Sequence, residues 1–249
     1  MLKVWPKTAV WTRFFPLIDS LLDHLHTRKS IGTVDRMFID FGIPLPLDDL
    51  PANARHKDPA LGAGALLDIG IYNLTYASLI LGGGVVGRNH PTPKVISTMV
   101  IVDGIDYADV VVLKYPQKDA KRSGRENMAI CTTTMYHETS RDFCTIEGSE
   151  GTITIYGLAA SVPSGFRIKR KRAEKGTPAK VANYDAEEDV KFEHAGVGYH
   201  FEADAVAIDI AAGRIENATM PLDETLRMMS LMDGIRKACG LVYPQEREV

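Results

Sequence analysis

Asp68 and Tyr72 stand four residues apart in the stretch Gly64-Ala-Leu-Leu-Asp-Ile-Gly-Ile-Tyr72. On an α-helix that spacing puts both side chains on one face. A tyrosine hydroxyl beside a carboxylate can give or take a proton once its environment tunes it, so the pair could serve acid–base catalysis. The competing reading is a structural helix face whose polar groups are merely satisfied. Under either reading, a carboxylate in so apolar a segment needs a partner.

A second cluster is Trp11-Thr-Arg-Phe-Phe-Pro16. Arg13 at a helix start could hold an anionic or polar ligand, and Trp11 could wall an apolar pocket. The alternative is a hydrophobic staple with a solvated Arg13. Gly82-Gly-Gly-Val-Val-Gly87 fits G-x-G-x-x-G, but a dinucleotide fingerprint must follow a strand and open a helix. Here the glycines follow a predicted helix and lead through His90-Pro-Thr-Pro93 into a strand, which reads as a helix C-cap and loop. No other stretch offers a phosphate-binding glycine loop.

Phe166-Arg-Ile-Lys-Arg-Lys-Arg172 reads as an edge strand with a charged outer face. Without aromatic platforms beside it, nucleic-acid binding is a minor reading. The seven histidines are scattered, and His24 and His26 face different directions on a helix, so no metal constellation arises. No G-x-S-x-G elbow or Cys/His pairing suggests a nucleophile.

The elements that must position these residues follow from periodicity. Leu17, Leu21 and Leu25 predict a helix from Phe14 to about Lys29, with Pro16 in its first turn. Met37, Ile39 and Phe41 alternate with Arg36, Phe38 and Asp40 as in a strand. Residues 43–59, with Pro44, Pro46 and Pro51, read as an irregular loop. Leu66–Leu81 is apolar around its circumference and reads as a buried helix. Strands are predicted at 95–102, 108–115, 128–134, 143–147, 152–156 and 166–172, joined by hairpin-length turns. Residues 114–125 and 174–189 read as charged, mobile loops. Helices are predicted at 199–212 and 221–238, stopped by Gly213 and Gly240. The fold class is α+β: a largely antiparallel open-faced sheet packed with helices.

Composition sets bounds. The 249 residues carry a net charge of −3, which gives no global attraction to nucleic acid or anionic membrane. Cys131, Cys144 and Cys239 are odd in number and form no CxxC pair, which fits a reducing, cytoplasmic setting. No apolar run is read as reaching a membrane span, and neither signal peptide nor anchor is read in residues 1–18.

Several pieces occur in a telling order: Trp11-Thr-Arg-Phe-Phe-Pro16, Asp58-Pro-Ala-Leu-Gly62, Gly64 to Tyr72, Ile146-Glu-Gly-Ser-Glu-Gly151, Tyr199-His-Phe-Glu-Ala-Asp204, Pro221-Leu-Asp-Glu224 and Gly240-Leu-Val-Tyr-Pro244. Together they resemble the glucose–fructose oxidoreductase/inositol dehydrogenase (Gfo/Idh/MocA) family. The branch is that of dimeric dihydrodiol dehydrogenases and NADP-dependent D-xylose dehydrogenases, and the likeness runs from about Ala9 to Pro244. It implies a Rossmann domain that binds NADP or NAD, followed by an open-faced sheet that walls the substrate and often forms the dimer. The family's D-x-G-x-[HY] acid and aromatic map onto Asp68 and Tyr72. Tyr72 would exchange the proton at the substrate carbon and Asp68 would orient it. Trp11 and Arg13 would lie near the cofactor, with Trp11, Phe14, Tyr72 and Tyr199 around the substrate.

The family's glycine fingerprint and catalytic lysine precede the Trp-Thr-Arg motif and are not matched here. The expected organisation is therefore a remnant of the nucleotide-binding domain at 1–42, a substrate and dimerisation domain at 43–220, and a C-terminal helix packing back at 221–249. Such a truncation should expose apolar surface on the 14–29 helix. The expected partners are a sugar or diol substrate and a second copy of the chain through the sheet, with no nucleic acid, membrane or metal. The alternative is a non-catalytic dimerisation or binding module.

Overall fold

Pro16, with its fixed φ and no N–H to satisfy, opens α1 (Pro16–Leu22), which continues as a wide π turn over Asp23–Thr27. The computed structural model describes residues 10–117, 124–172, 184–185 and 187–246. α1 buries Leu17, Ile18 and Leu21 and packs on the sheet at β7 (Val162–Arg170). The apolar surface expected to be exposed here is thus covered. Exposed apolar side chains lie instead on β2 (Lys94–Val102) and on α3 (Tyr199–Ala211), at Ile96, Val100, Ile208 and Ile210.

The remaining strands are β1 (Val34–Gly42), β3 (Ile105–Pro116), β4 (Glu126–Thr134), β5 (Asp142–Gly148), β6 (Gly151–Ala159) and β8 (Glu188–Lys191). They form one eight-stranded sheet in the order β2-β3-β4-β1-β5-β6-β7-β8. Every pairing is antiparallel except β1 with β4.

β1 corrects the expected boundary at residue 42. Met37, Ile39 and Phe41 point into the core, and the strand is hydrogen-bonded to β4 on one side and β5 on the other. It belongs to the middle of the sheet and not to a separate α/β remnant. A second correction concerns the basic strand. β7 is not the edge, because β8, which starts at the end of the segment read as a loop, pairs with it. Lys169 pairs with Glu187 at 2.7 Å and Arg170 with Glu188 at 2.8 Å, so the acidic run neutralises the basic one. The rest of that segment falls largely outside the described residues.

Helices cover one face of the sheet. A π turn at Leu66–Gly70 leads into α2 (Ile71–Leu81), every residue of which is buried, as its apolar circumference requires. The helical run Pro59–Leu81 is by length and composition apolar enough to cross a membrane, which corrects the reading above. In this fold it is mostly buried inside the protein as a core helix. Asn73 is also buried there and donates to the Thr132 carbonyl at 2.7 Å. α4 (Leu222–Ala238) packs on α2 and β2 and adds Met228, Met232 and Ile235 to the core. Among the described residues, no helix packs on the opposite face of the sheet. Phe38 and Val110 lie exposed there, each between inward-facing neighbours.

Candidate active site

Four elements converge on Tyr72. The turn Trp11–Phe14 brings Trp11 edge-on to the Tyr72 ring, with centroids 5.1 Å apart. Trp11 also meets Tyr199 at 4.6 Å. Phe41, at the end of β1, closes on Tyr72 at 5.6 Å. Edge-to-face pairs at these separations are favourable beyond their buried area. Three of the four residues expected around a substrate, Trp11, Tyr72 and Tyr199, are thus brought together. Phe14 is half-buried at the end of the same turn.

The placement of Tyr199 depends on Gly198. This glycine precedes α3 with φ +85°, and a Cβ there would fall 2.1 Å from the Phe15 ring. Only glycine lets α3 start so close to the turn that carries Trp11. The Thr12 hydroxyl fixes that turn from the other side by donating to the Ser161 carbonyl at 2.7 Å.

Tyr72 is 5% exposed. Burial raises its pKa strongly, and nearby Tyr199, Asp68 and Glu202 add to the rise, with Arg55 opposing. The phenol is therefore a protonated donor at neutral pH.

Asp68 does not behave as simple helical spacing implies. It sits in the π turn, where the Ile71 N–H reaches back to the Leu66 carbonyl five residues earlier. Such wide turns concentrate at functional sites. Its carboxylate pairs with Arg55 and lies 3.4 Å from Nδ1 of His56. It acts on Tyr72 through its field. Arg55 and His56 come from the proline-rich loop and lie outside the motifs quoted above.

The start of this helix is held from beneath. The Leu66 N–H donates to Oδ2 of buried Asp106 at 2.6 Å. Gly64, at φ +135°, leaves room for that carboxyl, since a Cβ would stand 2.0 Å from Asp106 Oδ1. Asp106 and Asp109 are both buried and hydrogen-bond to each other, one of them carrying the proton. Burial, then the Asp106 charge, pushes the Asp109 carboxyl well up, and Thr133 donates to it at 2.7 Å. The Tyr243 hydroxyl donates to the Ala63 carbonyl at 2.7 Å and completes the clamp.

Arg13 is not solvated. Its side chain is 1% exposed, and Nη1 donates to Glu224 at 2.8 Å. Glu224 also accepts from Arg227 and from the Gly87 N–H, each at 2.8 Å. Burial would raise the Glu224 carboxyl, but these donors outweigh it and hold it at about 2. The expectation of a freely presented Arg13 is therefore corrected: its guanidinium braces the N-terminal turn against α4. The partner Glu224 lay in a quoted motif, yet nothing local linked it to Arg13.

The glycine run behaves as its context implied. Gly82 ends α2, and the chain passes through a short turn at Gly87–Asn89 into β2. The one G-x-G-x-x-G run therefore joins a helix to a strand and does not present a helix N-terminus to the pyrophosphate of a dinucleotide. Among them, no group of three or more His, Cys, Asp or Glu side chains could hold a metal ion.

The sequence profile of the GFO/IDH/MocA C-terminal domain matches residues 21–154. The chain belongs to this family. It is 27% identical over 254 residues to D-xylose 1-dehydrogenase (NADP(+)) of Hypocrea jecorina, covering 98% of this chain and 62% of that one. It is 31% identical over 240 residues to trans-1,2-dihydrobenzene-1,2-diol dehydrogenase of Danio rerio, covering 96% and 64%. The chain thus spans less than two thirds of the length of these relatives. Among solved structures, KijD10, a 3-ketoreductase from Actinomadura kijaniata in complex with NADP and TDP-benzene, superposes with a TM-score of 0.66 over 94% of this chain and 62% of that one. At 18% identity this likeness shows that the family fold is shared.

Proposed function

We propose that this chain is the substrate-side portion of an NAD(P)-dependent oxidoreductase acting on a CH–OH group of a D-xylose-like sugar or a trans-dihydrodiol. The observation that carries this reading is the Tyr72 phenol, buried and protonated between Trp11 and Phe41, with Tyr199 against Trp11 and Asp68 and Arg55 within its field. A protonated phenol suits proton donation to a carbonyl oxygen on reduction, and the return of that proton on oxidation. The aromatic wall would exclude water and orient the ring or chain of the substrate. Hydride chemistry belongs to the nicotinamide, which residues other than those described would hold. Asp68, tied to Arg55 and His56, tunes Tyr72 electrostatically, and Arg13 positions the Trp11 turn.

Turnover of D-xylose and of a trans-dihydrodiol with NADP, measured beside NADPH fluorescence and a sizing column, tests this. In protein that also carries the nucleotide-binding residues, NADP-dependent turnover that falls by about 10²-fold or more in Tyr72→Phe is expected, in line with the usual contribution of a general acid. Unchanged turnover in that variant would reject the role of Tyr72. A second reading has its own observation. The open sheet face exposes Phe38, Ile96, Val100 and Val110, an apolar surface suited to a second copy of the chain. A folded dimer with neither NADPH binding nor turnover would favour that non-catalytic dimerisation module.

A further inference from the structure

Between α4 and the edge strand β2 lies a cleft of about 640 Å³. That is within the range of small-molecule sites, roughly 300–1,000 Å³. Pro91, Pro93 and Val95 form one wall, and Leu231 and Ile235 the other. The α4 residues that reach the cleft are Arg227, Ser230, Leu231, Gly234, Ile235 and Ala238. Their spacing is one stripe of the helix, so the cleft is elongated, with Arg227 at one end. It lies beside the C-terminal half of α2, where Ser78 bridges Arg227 and His90, and so apart from Tyr72 at the start of that helix.

Two features of the cleft are not used by the packing of this chain. The first is charge. Arg13 and Arg227 share the single carboxylate of Glu224; the Arg13 and Glu224 side chains are buried, and that of Arg227 is 19% exposed where it reaches the cleft. His90 beside them is kept neutral by burial and by Arg227. Asp223 is committed to exposed Arg88. The cluster is left with one positive charge in excess, and buried charge without a counter-charge is costly. The second feature is Gly234. A glycine inside a helix weakens it, and a Cβ at this position would meet no atom within 4 Å. No neighbour in the fold requires the residue to be small; what its absent side chain leaves is room in the cleft.

We propose that this cleft binds a small amphipathic carboxylate, an aliphatic or arylalkyl acid whose body lies between Val95 and Ile235 and whose head meets Arg227. The apolar walls account for the body, and the net positive charge of the Arg13–Glu224–Arg227 cluster, which reaches the cleft at Arg227, accounts for the head. This site is independent of the reading given to Tyr72.

The probe is octanoate, with octan-1-ol as its uncharged counterpart, titrated into protein carrying labelled Ile, Leu and Val methyl groups. Saturable NMR shifts are expected at Ile235, Leu231 and Val95, with octanoate binding at least about tenfold more tightly than the alcohol. Ile71 and Leu74, near Tyr72, should not move. Gly234→Leu should fill the cleft and abolish binding while melting no earlier than the parent, because leucine is the better helix former. Equal affinity for acid and alcohol would overturn the proposed class of ligand. Shifts at Ile96 and Val110 instead, or undiminished octanoate binding by folded Gly234→Leu, would overturn the site.

Discussion

Replacing Asp109 by asparagine should stabilise the protein increasingly as pH rises from 5 to 7. In the fold, burial and the neighbouring Asp106 keep the Asp109 carboxyl protonated. In the unfolded chain the same group ionises near pH 4. Above that pH the folded state binds one more proton than the unfolded state, so stability falls as pH rises. One proton corresponds to a slope of up to about 1.4 kcal/mol per pH unit. The contribution is fully present below about pH 4 and is lost progressively toward the raised folded value. The substituted amide can still accept from Thr133 and donate to Asp106, but it has no proton to lose. Across two pH units the variant should therefore gain about 2–3 kcal/mol on the parent. Urea denaturation at pH 5, 6 and 7, followed by circular dichroism, measures this. Taking the difference between the two proteins removes the opposing contribution of His24 and His90, whose pKa values are lowered by burial. A difference that is flat with pH, or that shrinks toward pH 7, would show that the two carboxyls do not share a proton in solution.

Glu224→Gln leaves Arg13 and Arg227 without their carboxylate and should cost about 3–5 kcal/mol, read as a lower urea midpoint. Gly198→Ala forces a methyl group onto the Phe15 ring at an unfavourable φ and should cost at least about 1–3 kcal/mol. It should also weaken the near-ultraviolet dichroism of Trp11 as Tyr199 moves away. Tyr72→Phe keeps the ring contacts with Trp11 and Phe41 and should change stability by less than about 1 kcal/mol. A larger loss in the urea midpoint would assign the hydroxyl a structural role.

Periodicity made the helices and most strands legible. Met37, Ile39 and Phe41 alternate cleanly, and α2 is apolar on every side, so their burial follows from residue type. Strand order did not follow, because β1 pairs with β4 and β5, each roughly a hundred residues distant in sequence. β8 was hidden in a charged segment, since its pairing depends on Glu187 and Glu188 meeting basic residues of β7. The site was half legible. Trp11, Tyr72 and Tyr199 could be picked out by type and resemblance. The inward turn of Arg13 could not, because its partner lies 211 residues away and no local signal distinguishes a buried guanidinium from a solvated one. Asp106 and Asp109 stand within or beside a strand reading and gave no hint of their shared proton.

The wide turn at Leu66–Gly70 bears on how such chains diversify. It holds one more residue than an α-helical turn spanning the same rise, so it behaves as an insertion retained within the helix. Deleting a single residue there would let the turn close to ordinary α-helical spacing, moving the residues of the turn itself relative to Tyr72 while the segments on either side kept their places. Asp68 would swing away from Arg55 and His56, while the packed stretch from Ile71 to Leu81 stayed in place. Related chains can therefore alter the acid beside the tyrosine by a change of length alone, which a comparison of residue identities in aligned columns would record only as a gap.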